Sequence, residues 1–356
     1  MIVLFAPDSF KGSLTSVQVA RALADGWSRA RPGDELLLCP LADGGEGTLE
    51  AVAAAGGWEW RRSLVQDPLG RPVTARWLWS GNDGAGQAFI EMAQASGLSL
   101  VHQDERDPMI ATSFGTGELI AAAMDQGASQ VTLGIGGSAT TDGGRGLLQA
   151  LLVDADARLR NLDLVVACDV SNPLLGPVGA AAVFGPQKGA TPAQVELLDA
   201  RNGAWANELE ARTGRRERDT PGAGAAGGVG FALLAVQDSF RSFALRPGVD
   251  LVMEATDFDA RLARADLVIT GEGRIDAQTA FGKTAQGVAK RAQAAGKHCV
   301  AVGGSVEPQG IAALATVGAT AIPVWESPVS LAVALAAGAA PLEACGERLA
   351  RAWLDR

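Results

Sequence analysis

Four short apolar runs in this 356-residue chain each end in a carboxylate set among glycines and hydroxyls. Ile2–Phe5 leads into Asp8, Ser9, Lys11 and Gly12, and Leu36–Cys39 leads into Asp43, Gly44, Gly45, Glu46, Gly47 and Thr48. Leu164–Cys168 leads into Asp169, Ser171 and Asn172, and Leu267–Thr270 into Gly271, Glu272, Gly273, Arg274 and Asp276. One Asp or Ser after a strand usually caps the helix that follows. Four such ends, with glycines that free the backbone amides, point instead to a polar binding rim, because open α/β sheets bind ligands beyond the C-terminal ends of their strands.

Glycine clusters add to this. Gly134, Gly136, Gly137, Ser138, Thr140, Thr141, Asp142, Gly143 and Gly144 follow the run Val131–Leu133 and can present a nest of N–H groups to an anion. Ser113, Gly115 and Thr116, opening a helix, can do the same. Gly134 to Ala139 also fits the looser dinucleotide pattern G-x-G-x-x-A, with Asp154 and Asp156 as weak ribose partners, so an NAD-dependent oxidoreductase of small hydroxy acids stands as an alternative. Two further glycines stand where its helix should run. Gly222 to Gly227 matches G-x-G-x-x-G but follows no strand. Ala277 to Thr284 resembles a phosphate-binding P-loop, yet Gly282-Lys283 comes about ten residues after its strand, which leaves a phosphate-binding loop without a P-loop core.

Only five of the 30 basic residues are lysine, and Lys11, Lys188 and Lys283 each adjoin a glycine in a polar loop. A compact, rotatable ammonium suits such a place; chance placement is the competing reading. Phosphoryl transfer needs cations of this kind alongside a metal, with carboxylates to hold the metal and orient the attacking hydroxyl. On that scheme Lys11, Lys188 and the nest amides hold the phosphates and the substrate carboxylate. Asp43 and Asp169 bind metal or accept the hydroxyl proton, two roles the residues do not separate, and Asp276 is a further metal candidate. Asp8, Ser9, Gly44, Gly45, Glu46, Ser113, Gly115, Thr116, Gly136, Gly137, Ser138, Thr140, Asp142, Asn172, Glu272 and Lys283 line the rim. A non-catalytic nucleotide-binding module is the remaining alternative.

The elements that must carry these loops are short strands alternating with helices. Ile2–Phe5, Glu35–Cys39, Val131–Ile135, Leu164–Cys168, Leu267–Thr270, Cys299–Val302 and Ala319–Val324 read as buried strands, and Ser16–Arg29, Glu118–Gln126 and Ala285–Ala295 as helices. That alternation predicts an α/β protein with a largely parallel sheet. Between Trp58 and Met92 the runs alternate and are parted by turns, which predicts an antiparallel meander opening a second domain. The expected division is a discontinuous domain of residues 1–65 and 285–356, with a mixed α/β domain of residues 66–284 inserted.

Composition limits the partners. The formal net charge is −10 with no block of Lys or Arg, which argues against nucleic acid and membrane surfaces. Asp8 and Lys11 interrupt the first apolar run too early for a signal peptide, and the run Leu331 to Ala340 is too short to span a bilayer. Cys39, Cys168, Cys299 and Cys345 are scattered and read as free thiols. His102 and His298 have no partner at ligand spacing, which excludes a His-based metal site or triad. The cytoplasm is the expected compartment; self-association stays open.

In order along the chain, Ala6–Ser13, Ala42–Thr48, Glu91–Leu98, Thr112–Ile120, Gly134–Gly144, Ala167–Leu174, Phe184–Ala190, Gly222–Gly228 and Asp266–Asp276 resemble the motifs of the bacterial glycerate kinases of the first class, the glycerate 2-kinase type. The resemblance implies phosphoryl transfer from ATP to D-glycerate with Mg2+, to 2-phosphoglycerate, in a cleft between two domains. It also implies a flavodoxin-like (Rossmann-like) domain with a second mixed α/β domain inserted. Thr141 departs from the pattern, which has Asn there, and the connection from Leu151 to Asp163 is shorter than the family's by a few tens of residues.

Overall fold

The computed structural model describes residues 1–81, 86–151, 157–277, 279 and 284–354. Its eleven described strands, in chain order, are β1 (Ile2–Phe5), β2 (Glu35–Leu38), β3 (Glu59–Gln66), β4 (Pro72–Ser80), β5 (Gly86–Glu91), β6 (Ala128–Gly134), β7 (Asp163–Ala167), β8 (Ser242–Arg246), β9 (Leu267–Ile275), β10 (His298–Val306) and β11 (Ala319–Pro323). They form two sheets in two compact units, the first of residues 1–43, 50–56 and 249–356, the second of residues 44–49 and 57–248. The expected division differs from this at three places: residues 44–49 and 57–65 pack with the second unit and residues 249–284 with the first.

The first unit's sheet runs β11-β10-β9-β1-β2 with every pairing parallel. Counted along this unit's own strands the order is 2-1-3-4-5, the flavodoxin-like order, whose switch point lies between β1 and β9. Its core gathers Val3, Phe5, Leu23, Trp27, Ile269 and Val302, with the Phe5 and Trp27 rings edge to face at 6.2 Å. The helix Ser16–Ala30 starts on a capping box, in which Thr15 and Gln18 satisfy each other's backbone N–H groups. Gly26 brings that helix against the helix Ala340–Leu354, since a Cβ there would fall 1.9 Å from the Glu343 carbonyl oxygen.

β9 is longer than the sequence suggests. Its pairing with β10 continues to Ile275↔Val306, so Gly271, Glu272 and Gly273, expected in a loop, lie in a strand. The glycines are there for close approach: a Cβ on Gly271 would sit 2.5 Å from the Val302 carbonyl oxygen, and one on Gly304 2.5 Å from that of Gly273.

The second unit's sheet runs β3-β4-β5-β6-β7-β8. The expected meander is its antiparallel half, β3 to β5; β5 to β8 are parallel. Register sets Glu91, Gly134, Ala167 and Arg246 level at the C-terminal ends of those four strands. The glycine-rich loop after β6 and the loop after β7 therefore leave from one edge. Among the described residues no helix is long and apolar enough to cross a membrane, and all four cysteines are free thiols.

Candidate active site

At the switch point of the first sheet, the chain leaving β1 passes Pro7 and buries Asp8. Asp8 Oδ1 accepts from its neighbour's N–H (Ser9) at 2.6 Å, and Oδ2 accepts from the Thr284 hydroxyl at 2.5 Å. Burial, and behind it the charge of Asp43, pushes the Asp8 carboxyl up to about 6. Lys11 is 81% exposed and its Nζ lies 3.8 Å from the half-buried Asp43. On β9, buried Glu272 accepts a 2.7 Å bond from the Thr279 hydroxyl, which in turn accepts from the Asp276 N–H at 3.1 Å. Asp276 pairs with Arg274 at 3.1 Å. Thr279 and Thr284 lie in the P-loop-like segment but were not among the expected site residues, and Lys283 itself lies outside the described residues.

In the second unit the long loop after β6 is built from close approaches. A Cβ on Gly134 would fall 2.5 Å from the Gly44 carbonyl oxygen, one on Gly136 2.7 Å from the Gly45 Cα, and one on Gly44 2.7 Å from the Ala167 Cβ. Gly44 and Gly45 thus pack on the loop 134–137, while Glu46 reaches solvent. Gly137 has φ +70°, open to glycine at little cost; its carbonyl accepts from the Leu98 N–H at 2.8 Å.

Asp142 organises the loop's far end. Its carboxylate takes the Ser113 N–H and hydroxyl at 2.9 and 2.8 Å, the Gly144 N–H at 3.1 Å and the Gly146 N–H at 3.2 Å. From below, buried Lys188 donates to Ser138 Oγ at 3.0 Å and to the Thr140 carbonyl at 2.6 Å. Burial draws the Lys188 ammonium down to about 7, with Asp142 opposing it. The cluster Gly222–Gly228 also supports this loop: Thr140 Oγ1 donates to the Ala226 carbonyl at 3.3 Å and the Gly143 N–H to that of Gly227 at 3.0 Å. That function explains its glycines without a nucleotide.

Several expected ligands turn out to hold the scaffold. The helix beginning at Phe114 takes in Gly115 and Thr116; a Cβ on Gly115 would meet the Gln66 carbonyl oxygen at 1.9 Å, and Thr116 donates to Ser96 Oγ at 2.8 Å. Asn172 gives its side-chain amide to the Val178 carbonyl at 2.8 Å, closing its own turn. Asp169 is exposed and accepts from the Gly248 N–H at 2.9 Å. Nor does the G-x-G-x-x-A segment open a helix: turns follow it and the next helix is Arg145–Ala150, so the geometry lacks the dinucleotide-binding helix. Asp154 and Asp156 lie outside the described residues. Thr141 leaves its buried hydroxyl without a hydrogen-bond partner.

Among the described residues no group of three or more His, Cys, Asp or Glu side chains is placed to hold a metal ion by itself. That suits Mg2+ in phosphoryl transfer, which takes one or two carboxylates and completes its shell with water and phosphate oxygens. Asp8 and Asp43, two carboxylates whose charges oppose each other, fit that donor set.

Both units have the α/β architecture in which loops leaving the C-terminal strand ends form an enzyme's binding rim. The model of the glycerate kinase family matches residues 3–155 and 152–354. The Bacillus subtilis (strain 168) glycerate kinase is 43% identical over 383 residues, covering 100% of this chain and 95% of its own. The Escherichia coli K12 glycerate 2-kinase is 43% identical over 332 residues, 86% of each chain. A crystal structure from Salmonella typhimurium LT2, provisionally described as glycerate kinase 2, superposes with a TM-score of 0.84 at 39% identity, over 100% of this chain and 98% of that one. The chain belongs to the glycerate kinase family and is a kinase. The family match divides at 152–155, inside the connection from Leu151 to Asp163.

Proposed function

We propose that the chain transfers the γ-phosphoryl group of ATP to the 2-hydroxyl of D-glycerate, with Mg2+, in the cytoplasm. The observation that carries the reading is Asp8, a buried carboxylate at the switch point held near 6 by burial and by Asp43. A carboxylate poised there can orient the acceptor hydroxyl and take its proton as the new O–P bond forms. Thr284 and the Ser9 N–H fix both of its oxygens. Asp43 would hold the metal, which neutralises phosphate charge when bound. Asp169, exposed on the second unit, is a further candidate carboxylate for the metal or the substrate. Lys11, exposed beside Asp43, supplies a mobile positive charge for the phosphates, and the backbone amides of 136–138 supply N–H donors.

The choice of the 2-hydroxyl is supported by the E. coli relative's name. ADP release measured across a panel of small hydroxy acids should single out D-glycerate over L-lactate. Excess EDTA should abolish turnover and Mg2+ restore it. Phosphorus NMR of the product should show 2-phosphoglycerate; a clean 3-phosphoglycerate signal overturns the regiochemistry, and full activity in chelator overturns the metal.

A further inference from the structure

We propose that Arg106 anchors a substrate oxyanion, the carboxylate of the acceptor or a phosphate of the nucleotide; this rests on the kinase reading only for which anions are present. Among the described residues three buried polar side-chain atoms lack a hydrogen-bond partner: Arg106 Nε, Thr141 Oγ1 and Asn202 Nδ2. Two of them lie at the glycine-rich loop and the third packs against the residue after its brace, Lys188. Thr141 lies in the loop. The Asn202 side chain lies against Gly143, whose Cβ would fall 3.1 Å from Asn202 Oδ1. Arg106 lies against Gly189, whose Cβ would fall 2.9 Å from the Arg106 carbonyl oxygen and 3.2 Å from its Cβ. Gly189 follows Lys188, which ties Ser138 and Thr140.

A water molecule can satisfy a neutral hydroxyl or amide. A guanidinium is different, because it carries a fixed charge and a planar fork of donors matched to carboxylate and phosphate. Several other such forks among the described residues are paired: Arg71 with Asp67, Arg215 with Glu217, Arg218 with Glu210, Arg291 with Asp250. The chain has 40 acidic residues against 30 basic ones, so carboxylates are in surplus. Yet the two that flank Arg106 face elsewhere. Glu105 pairs with Arg71 at 3.2 Å, and Asp107 accepts from the Met109 N–H at 2.9 Å. Arg106, half-buried with its Nε unsatisfied and packed by its backbone and Cβ against Gly189, the residue after buried Lys188, makes a site for an arriving anion.

The test is calorimetric titration of the full-length wild type, Arg106→Gln and Arg106→Lys with D-glycerate and, separately, with Mg-ATP, alongside KM for both substrates. Arg106→Gln should weaken one of the two by roughly 10²-fold and leave the other within about twofold, and Lys should recover only part of the loss. The weakened ligand identifies the anion. Melting temperature should hold or rise, since a buried orphan donor is removed. Unchanged binding of both ligands overturns the proposal. So does a loss shared equally by both ligands with a fall in melting temperature, which would mark a structural role. Wild type that binds both but turns neither over overturns the kinase reading while the Arg106 arms still decide.

Discussion

Lys188 Nζ donates 2.6 Å and 3.0 Å hydrogen bonds to the Thr140 carbonyl and to Ser138 Oγ, from a side chain only 2% exposed. A lysine expected to meet phosphates from an open loop instead braces the loop from beneath. Lys188→Met should lower kcat/KM by about 10² because the loop loses its brace, and Lys188→Arg should do no better, since the larger head overpacks a closed site. The lysine's folded pKa, about 7, lies below its ordinary 10.5. The unfolded chain therefore binds more protons between those values, and this group's contribution to stability rises with pH from 7 towards 10.5. Wild-type melting temperature should climb relative to Lys188→Met across that window, by the equivalent of about 1–3 kcal/mol. A pH-independent difference would mean the ammonium is not desolvated in the fold.

Asp8 titrates with the opposite sign. Its folded pKa, about 6, lies above 3.8, so the folded state binds the extra proton and the cost of ionisation grows as pH rises from 4 through 6. Asp8→Asn, measured in chelator, should be more stable than wild type at pH 7.5 by roughly 1–3 kcal/mol, with the gain vanishing below pH 4. Activity should fall by 10² or more at every pH. A variant that keeps activity would remove Asp8 from the chemistry.

The fold was legible wherever periodicity had a single meaning. The strands β1, β7 and β11, the helix after Thr15 and the meander from Trp58 all stand within a few residues of their expected places. Glycine was where reading failed, because one residue type serves two physical ends. In the loop 134–144 glycines supply positive φ, at Gly137, Gly143 and Gly144. In β9, and at Gly115 in the helix after Ser113, they remove a Cβ so that backbones can touch. Composition does not separate these uses. Burial of Lys188 was equally hidden, since its neighbours Gln187 and Gly189 are polar or small and only the packing of the loop above it covers the ammonium. The strand ends pointed to Asp8 as one carboxylate among several, but not to the burial that drives its carboxyl up.

Gly136→Ala tests the packing of the loop 134–137 on Gly44 and Gly45. An added Cβ would lie 2.7 Å from the Gly45 Cα, which only a backbone shift can relieve. Loss of about 1–3 kcal/mol is expected, with a fall in activity. Gly33→Ala, at an exposed turn with nothing within 4 Å of the new Cβ, should change neither. Equal behaviour of the two variants would sink the close-approach account.

Lys11 offers the cleanest separation of chemistry from stability. Its ammonium is 81% exposed and only loosely paired with Asp43 at 3.8 Å, and exposed pairs of this kind add little to folding. Lys11→Arg should therefore leave the melting temperature within about 1 °C. If Lys11 swings onto the transferring phosphate, a planar fork on Arg will not reproduce its compact charge beside Gly12, whose φ of +78° fixes the turn. The expected loss in kcat is about 10² to 10³. Lys290→Arg and Lys297→Arg are the controls: Lys290 is exposed on a helix surface and Lys297 makes a single 3.4 Å bond to the Ala263 carbonyl. All three variants keep the net charge, so a loss confined to Lys11 reads local geometry and not overall electrostatics. Full activity in Lys11→Arg would make Lys11 an ordinary surface cation and leave the phosphates to other donors.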